Sequence, residues 1–344
     1  MPRHRPALVL SALLLLALAA DAALAETAPF GLCFSSTAES PAPEDAVAGL
    51  RLGVLARHRR MAGLSILLLA NDVLTPEDEG DGKDGTADGI QIATLLNAAD
   101  RSDLFLMQAA FLGNGIGEGA ALQIAPLVNF AGRSGSRFTG VQIGAMNQSM
   151  STGGGVLQAG CLANGARRLR GVQIGTLNST ADGGGVQIGL LNASIGRTSL
   201  LIPFEEDDTE PPPFRGVQLG AVNRSSGSSG VQLGAINWTE TASGIQVGAV
   251  NWAETSSGLQ LGIANVVRAD CFGAQIGLVN VSERLHGVQI GLFNDALSAC
   301  RGAQIGLFNV YSGSRQDLSA IQFGAANMAG GSAMFVLPIF RLSF

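Results

Sequence analysis

Residues 230–265 read GVQLGAINWTETASGIQVGAVNWAETSSGLQLGIAN, nearly the same phrase three times at a period of fourteen residues. A period this short decides the architecture before any single element is assigned. The unit is G-[VILA]-Q-[ILV]-G-x-x-N. Outward from this stretch its Gln recurs as Gln142, Gln173, Gln187, Gln218, Gln232, Gln246, Gln260, Gln275, Gln289, Gln304 and Gln322. Each has an Asn five residues on: Asn147, Asn178, Asn192, Asn223, Asn237, Asn251, Asn265, Asn280, Asn294, Asn309 and Asn327. Looser copies surround Gln91, Gln108, Gln123 and Gln158, where the Asn falls six residues on, as a one-residue bulge would make it. Degenerate copies begin at Gly49 and Gly63 and bring the total to seventeen.

Within Gly230–Asn237, Val231 and Leu233 alternate with Gln232 and Gly234, the period of a half-buried strand. The expectation is that the apolar residues face a core and Gln faces out. Gly and Asn bracket the strand, and both tolerate positive φ, so they are expected at corners. Fourteen residues cannot hold two helices and their turns. The fold expected is all-β: a β-solenoid of about 17 coils, one per repeat, with the Gln and Asn stacked into amide ladders. The alternative is an outer-membrane β-barrel with one strand per repeat.

Extra length collects between an Asn and the next Gly, and it follows odd- and even-numbered units alike, which fits one variable edge of a solenoid better than the two ends of a barrel. One Tyr and two Trp are too few for membrane girdles. On the other side stands the tail MFVLPIFRLSF, which ends like the closing strand of a barrel.

The chain of 344 residues has 47 Gly, only 14% charged residues and a formal net charge of −6, which gives no attraction for nucleic acid. Arg3, His4 and Arg5 precede an apolar run from Ala7 to Ala20, and Ala23-Leu24-Ala25 supplies a small-x-small cleavage site. This is a signal for the Sec route, placing the mature chain at the cell surface, outer membrane or periplasm. The organisation expected is a signal peptide at 1–25, an N-terminal cap at 26–48, the repeat domain at 49–329 with acidic insertions at 72–88 and 193–215, and a capping or membrane-docking strand at 330–344.

The G-V-Q-I-G-x-x-N unit, the signal peptide and the apolar tail resemble bacterial surface-repeat proteins built from G-[FV]-Q-x-[GA]-x-x-N units. The resemblance spans 49–344 and implies a surface location, with little further function. The usual units of that family are somewhat longer than those found here.

Few residues in the chain carry recognisable chemistry. Trp238 and Trp252 follow the repeat Asn in adjacent coils and would stack into an aromatic pair able to take a sugar ring or a partner's apolar edge; an aromatic ladder over the turn is the plainer reading. Glu240 and Glu254 also share a phase, at roughly the spacing of a retaining glycosidase pair, but no pocket accompanies them and they read as solvated carboxylates. Asp78, Asp81, Asp84 and Asp88 lie in a Gly-containing acidic loop that could take Ca²⁺, though not at EF-hand spacing. His4 leaves with the signal, and His58 and His286 are many coils apart, so no triad or zinc site is assembled. Cys271 and Cys300 share a phase two coils apart, roughly 9–10 Å, beyond disulfide reach. The expected function is a non-enzymatic structural or adhesive surface protein. Transport or assembly by a barrel and carbohydrate binding or processing on a solenoid are the alternatives. The partners considered are the outer membrane or cell envelope, a carbohydrate or protein ligand, and end-to-end self-association.

Overall fold

The computed structural model describes residues 27–33, 39–40, 46–57, 60–73, 85–133, 135–195, 213–314, 318–329 and 340–342, which are strands and turns with no helix among them. They form a parallel β-solenoid of about 16 turns, not a barrel. The chain divides into two compact units, Met1–Arg170 and Gly171–Phe344.

In the first unit, like pairs with like from coil to coil. Gly49 sits beside Gly63 and Gly63 beside Gly89. Gln91 follows in line with Gln108, then Gln123, Gln142 and Gln158, always in parallel pairing. In the second unit the same register runs from Gln187 through Gln218, Gln232, Gln246, Gln260, Gln275 and Gln289, and again between Gln304 and Gln322. A barrel with one strand per repeat would alternate strand direction, so these parallel registers exclude it. The insertions leave the register intact, since Leu64 pairs with Ile90 across the first and Val186 with Val217 across the second. The predicted bulge appears where Gly144 pairs with Gly160 but Met146 pairs with Ala163.

Antiparallel pairing among the described residues occurs in two places. Thr27–Cys33 runs parallel to Ala46–Arg57 and takes Glu39–Ser40 antiparallel on its other side. Phe340–Leu342 pairs antiparallel with Leu318–Phe323 of the last coil, Ile321 opposite Leu342. In each place a short strand of reversed direction lies against the strand edge of a terminal coil.

The facing of the repeat is the reverse of the sequence expectation. Alternation is present, but the repeat Gln and Asn point inward, at 0–2% exposure apart from Asn114 at 4% and Asn327 at 8%, while the apolar partners point outward. The reason is the ladder itself. Gln246 Nε2 donates to Gln232 Oε1 at 2.8 Å and Gln260 Nε2 donates to Gln246 Oε1 at 2.8 Å. The Asn column runs the other way: Asn237 Nδ2 donates to Asn251 Oδ1 at 2.8 Å, and Asn251 Nδ2 to Asn265 Oδ1 at 2.8 Å. The second Nδ2 hydrogen of Asn237 goes to the carbonyl of Val247 at 3.0 Å. A lone buried amide is costly, but one whose donors and acceptors are met by its own copies at the strand spacing is not.

Opposite the amides the interior of the second unit is small, with Ala253, Val267, Cys271, Leu285, Ala296 and Cys300 at 0–1% exposure and the hydroxyl residues Ser225, Thr239 and Ser282 buried in the same columns. In the first unit, Arg51 takes the Gln phase and is wholly buried. It donates through Nε to Ser65 Oγ at 2.9 Å and through Nη2 to Asn71 Oδ1 at 3.0 Å, so its charge is held within the polar columns.

The expected positive-φ corners are also corrected. Positive φ occurs at glycines such as Gly49, Gly63 and Gly89, but the glycines opening the regular coils from Gly216 to Gly302 do not have it. Space is what demands glycine there: a Cβ on Gly244 would lie 1.9 Å from the carbonyl oxygen of Gly230.

Candidate functional site

With the amides turned inward, the residues left outside form the most distinctive surface of the second unit. In each eight-residue repeat, the second, fourth, sixth and seventh positions point outward or lie half-buried. Through the ten coils from Gly171 to Asn327 not one of these positions carries a charge, and Thr176 alone is polar. Leu278, Leu292 and Leu307 are 51%, 50% and 49% exposed, and Phe308 and Phe323 are exposed to a similar degree. Isolated exposed leucines need no explanation, but several continuous columns of them do.

The face has relief. The glycine at the fifth position of the repeat points its missing side chain inward, where a Cβ on Gly291 would lie 2.6 Å from Asn280 Nδ2. On the outside this column is the floor of a groove. Ile290, Leu292, Ile305 and Leu307 wall it above Gly291 and Gly306, and from Ile276 to Ala325 it forms an open trough of about 880 Å³. The charged residues of this unit that are described, such as Arg215, Glu240, Arg268, Glu283 and Arg301, fall at other phases of the coil.

Trp238 and Trp252 are brought together as adjacent members of one column. Their ring centroids lie 4.8 Å apart with planes tilted by 53°, and the Arg224 guanidinium sits 5.8 Å from the Trp238 centroid. The pair stands just past the repeat Asn, beside the apolar face. Glu240 and Glu254 share a register position, since Thr239 pairs with Ala253 and Thr241 with Thr255, and both are exposed to solvent. Asp78, Asp81 and Asp84 lie outside the described residues. Asp88 accepts hydrogen bonds from Ser102 Oγ at 2.7 Å and the Leu104 amide at 2.9 Å, which ties it to the next coil.

A clamp that sequence reasoning missed joins two adjacent coils near the ends of paired strands. Arg284 donates from Nε and Nη2 to the two carboxylate oxygens of Asp270 at 2.6 and 2.8 Å. That hydrogen bonding holds the Asp270 carboxyl below the usual carboxylate range. His286 lies 3.7 Å from Asp270 and stacks on Phe272 at 4.8 Å.

Cys271 and Cys300 are unbridged, with Leu285 between them in the column, as their two-coil separation predicts. Burial pushes the Cys271 thiol up to about 11 and the Cys300 thiol up to about 12. Cys161 is exposed. A thiol reagent at neutral pH is therefore expected to modify Cys161 rapidly, and Cys271 and Cys300 only on unfolding. Peptide mapping of a timed reaction checks this, and early labelling of Cys271 in the folded chain would count against the closed coil.

The apolar face was legible in one respect. A solvent-facing column accepts Lys, Glu or Arg, whereas this phase keeps Gln in eleven strict units, the behaviour of a position where only a group that both donates and accepts will serve. Comparison with protein-family models, with curated proteins and with solved structures gives no match for this chain.

Proposed function

We propose that this chain is an exported, non-enzymatic structural or adhesive protein of the bacterial cell envelope, acting through the apolar face of its solenoid. The observation that carries the reading is that face itself: uncharged columns displayed at coil spacing on a scaffold whose rigidity comes from amide ladders. Such a surface offers area and shape for association and no group poised for proton transfer or nucleophilic attack. The leader at 1–25 supplies the route out of the cytoplasm. The repeat, with its resemblance to bacterial surface-repeat proteins, agrees with a place in the envelope.

Fractionation of Gram-negative cells expressing the chain with its own leader tests this. The expected result is a processed protein, starting near Glu26, recovered with the envelope or periplasm. Recovery from the cytoplasm with the leader uncut would sink the proposal.

A further inference from the structure

The outer face of the second unit is too large and too uniform to be a chance surface. From the second to the seventh position of the repeat a coil spans six residues, about 20 Å at about 3.3 Å each, and ten coils at about 4.8 Å extend about 48 Å. The product is about 960 Å², above the roughly 800 Å² per partner of a standard stable interface. Its relief is periodic in one direction. The groove runs along the stack over Gly291 and Gly306, and the residues of its flanking ridges, Ile290 and Ile305 on one side and Leu292 and Leu307 on the other, recur once per coil.

A partner that fits a relief of this kind over many coils must carry the same period, and the surface known to carry it is this face itself. We propose that the face is the contact between two copies of the chain, packed sheet on sheet about a two-fold axis, with the leucine ridge of each in the glycine-floored groove of the other. The inference rests on the structural reading above and names the partner of that same surface. It differs from end-to-end association, because the strands of the two copies meet face to face and not edge to edge.

A two-fold contact puts the same patch on both sides, so the patch must be self-complementary. The absence of charge from these columns meets that condition: no carboxylate or ammonium is desolvated, and no like charges oppose each other. Two such faces interdigitate with their sheets about 10 Å apart, as in a β-sandwich. A lipid surface is the weaker occupant. A fluid acyl layer accepts any apolar relief and so gives no reason for a regular groove, and the chain's net charge of −6 repels anionic headgroups.

The test is the mass in solution of the exported chain, purified without detergent, by light scattering and sedimentation. Two-chain mass is expected for the native protein. The pair Leu292→Lys with Leu307→Lys is expected to give one-chain mass with an unchanged circular dichroism spectrum, because both side chains are about half-exposed already. Should that variant fail to fold, Leu278→Lys alone is expected to weaken pairing about tenfold or more. Glu240→Lys, outside the face, is expected to leave the mass unchanged. A native chain that is single at every concentration overturns the proposal, as does a folded double variant that stays paired. A single chain that floats with neutral phosphatidylcholine vesicles also overturns it and assigns the face to lipid. The two readings fail separately: a paired chain retained in the cytoplasm with its leader sinks the envelope role and leaves the pairing, and a single chain in the envelope fraction does the reverse.

Discussion

Asn251→Asp is expected to destabilise the second unit by at least about 4 kcal/mol at neutral pH, the scale of an unpaired charge left in a buried polar network. The substitution keeps the side chain's volume and changes only its hydrogen-bonding character. Asn251 accepts from Asn237 Nδ2 and donates to Asn265 Oδ1 and the Leu261 carbonyl, each at 2.8 Å. A carboxylate would still accept from Asn237, but would face two acceptors with no proton to offer. Those acceptors and the burial raise its folded pKa above the roughly 3.9 of an exposed Asp. The sign follows: the folded state then holds the proton more tightly, so the variant is most stable in acid and loses stability as pH rises through the unfolded value and beyond. Denaturant midpoints of both proteins at neutral and acid pH measure this. A variant as stable as the parent at neutral pH, or one whose deficit does not shrink in acid, would show that the Asn column does not hold the coils in register.

The second large effect is expected at the glycines lying inside the ladder. A Cβ at Gly248 would fall 2.3 Å from the Gly234 carbonyl oxygen and 2.8 Å from Asn237 Nδ2. The first obstacle is backbone, and the second is a ladder amide already bonded on both sides, so neither can give way cheaply. Gly248→Ala is expected to cost on the order of 3 kcal/mol, at the upper end of overpacking effects. The contrast is Gly115, where the same atom meets nothing closer than the Asn97 carbonyl oxygen at 3.9 Å. Gly115→Ala should be neutral or stabilising by up to about 1 kcal/mol, through the loss of unfolded-state freedom. Thermal melts of both variants decide the matter: equal losses would mean that glycine serves backbone freedom throughout, and not close approach.

The amide columns explain why both effects are large. Each interior amide is satisfied by its own copies one coil away, so a change in one coil leaves orphaned groups in two others. The Gln column donates toward earlier coils and the Asn column toward later ones, which opposes the two rows of side-chain dipoles along the stack. Both columns therefore depend on coil spacing and on the glycines that leave them room. Where the repeat degenerates, at Arg51, a cation enters the polar interior and is held by Ser65 and Asn71, since an interior of amide and hydroxyl oxygens can accept from it.

The candidate site was legible in some particulars. The contact of Trp238 with Trp252 and the shared phase of Glu240 and Glu254 follow from the fourteen-residue period, because equal phase in a solenoid means adjacency. The clamp of Arg284 on Asp270 joins a later pair of coils, beyond a register irregularity that follows Val267, so the fifteen-residue step set by Gln260 and Gln275 does not locate it.

By itself, the sequence determined the all-β class, the coil of 14–15 residues, the parallel stacking of like on like and the edge that absorbs insertions. All of these follow from periodicity, which depends only on order along the chain. Periodicity did not determine which side of each strand is the inside. Alternation with period two is symmetric under exchange of its faces, and the usual assumption that breaks the symmetry, polar outward, holds only for amides without partners. Tertiary structure broke it the other way. Stacking puts Gln on Gln and Asn on Asn at hydrogen-bonding distance, so the amides can be buried and the valines, isoleucines and leucines are left to face outward, toward whatever covers them.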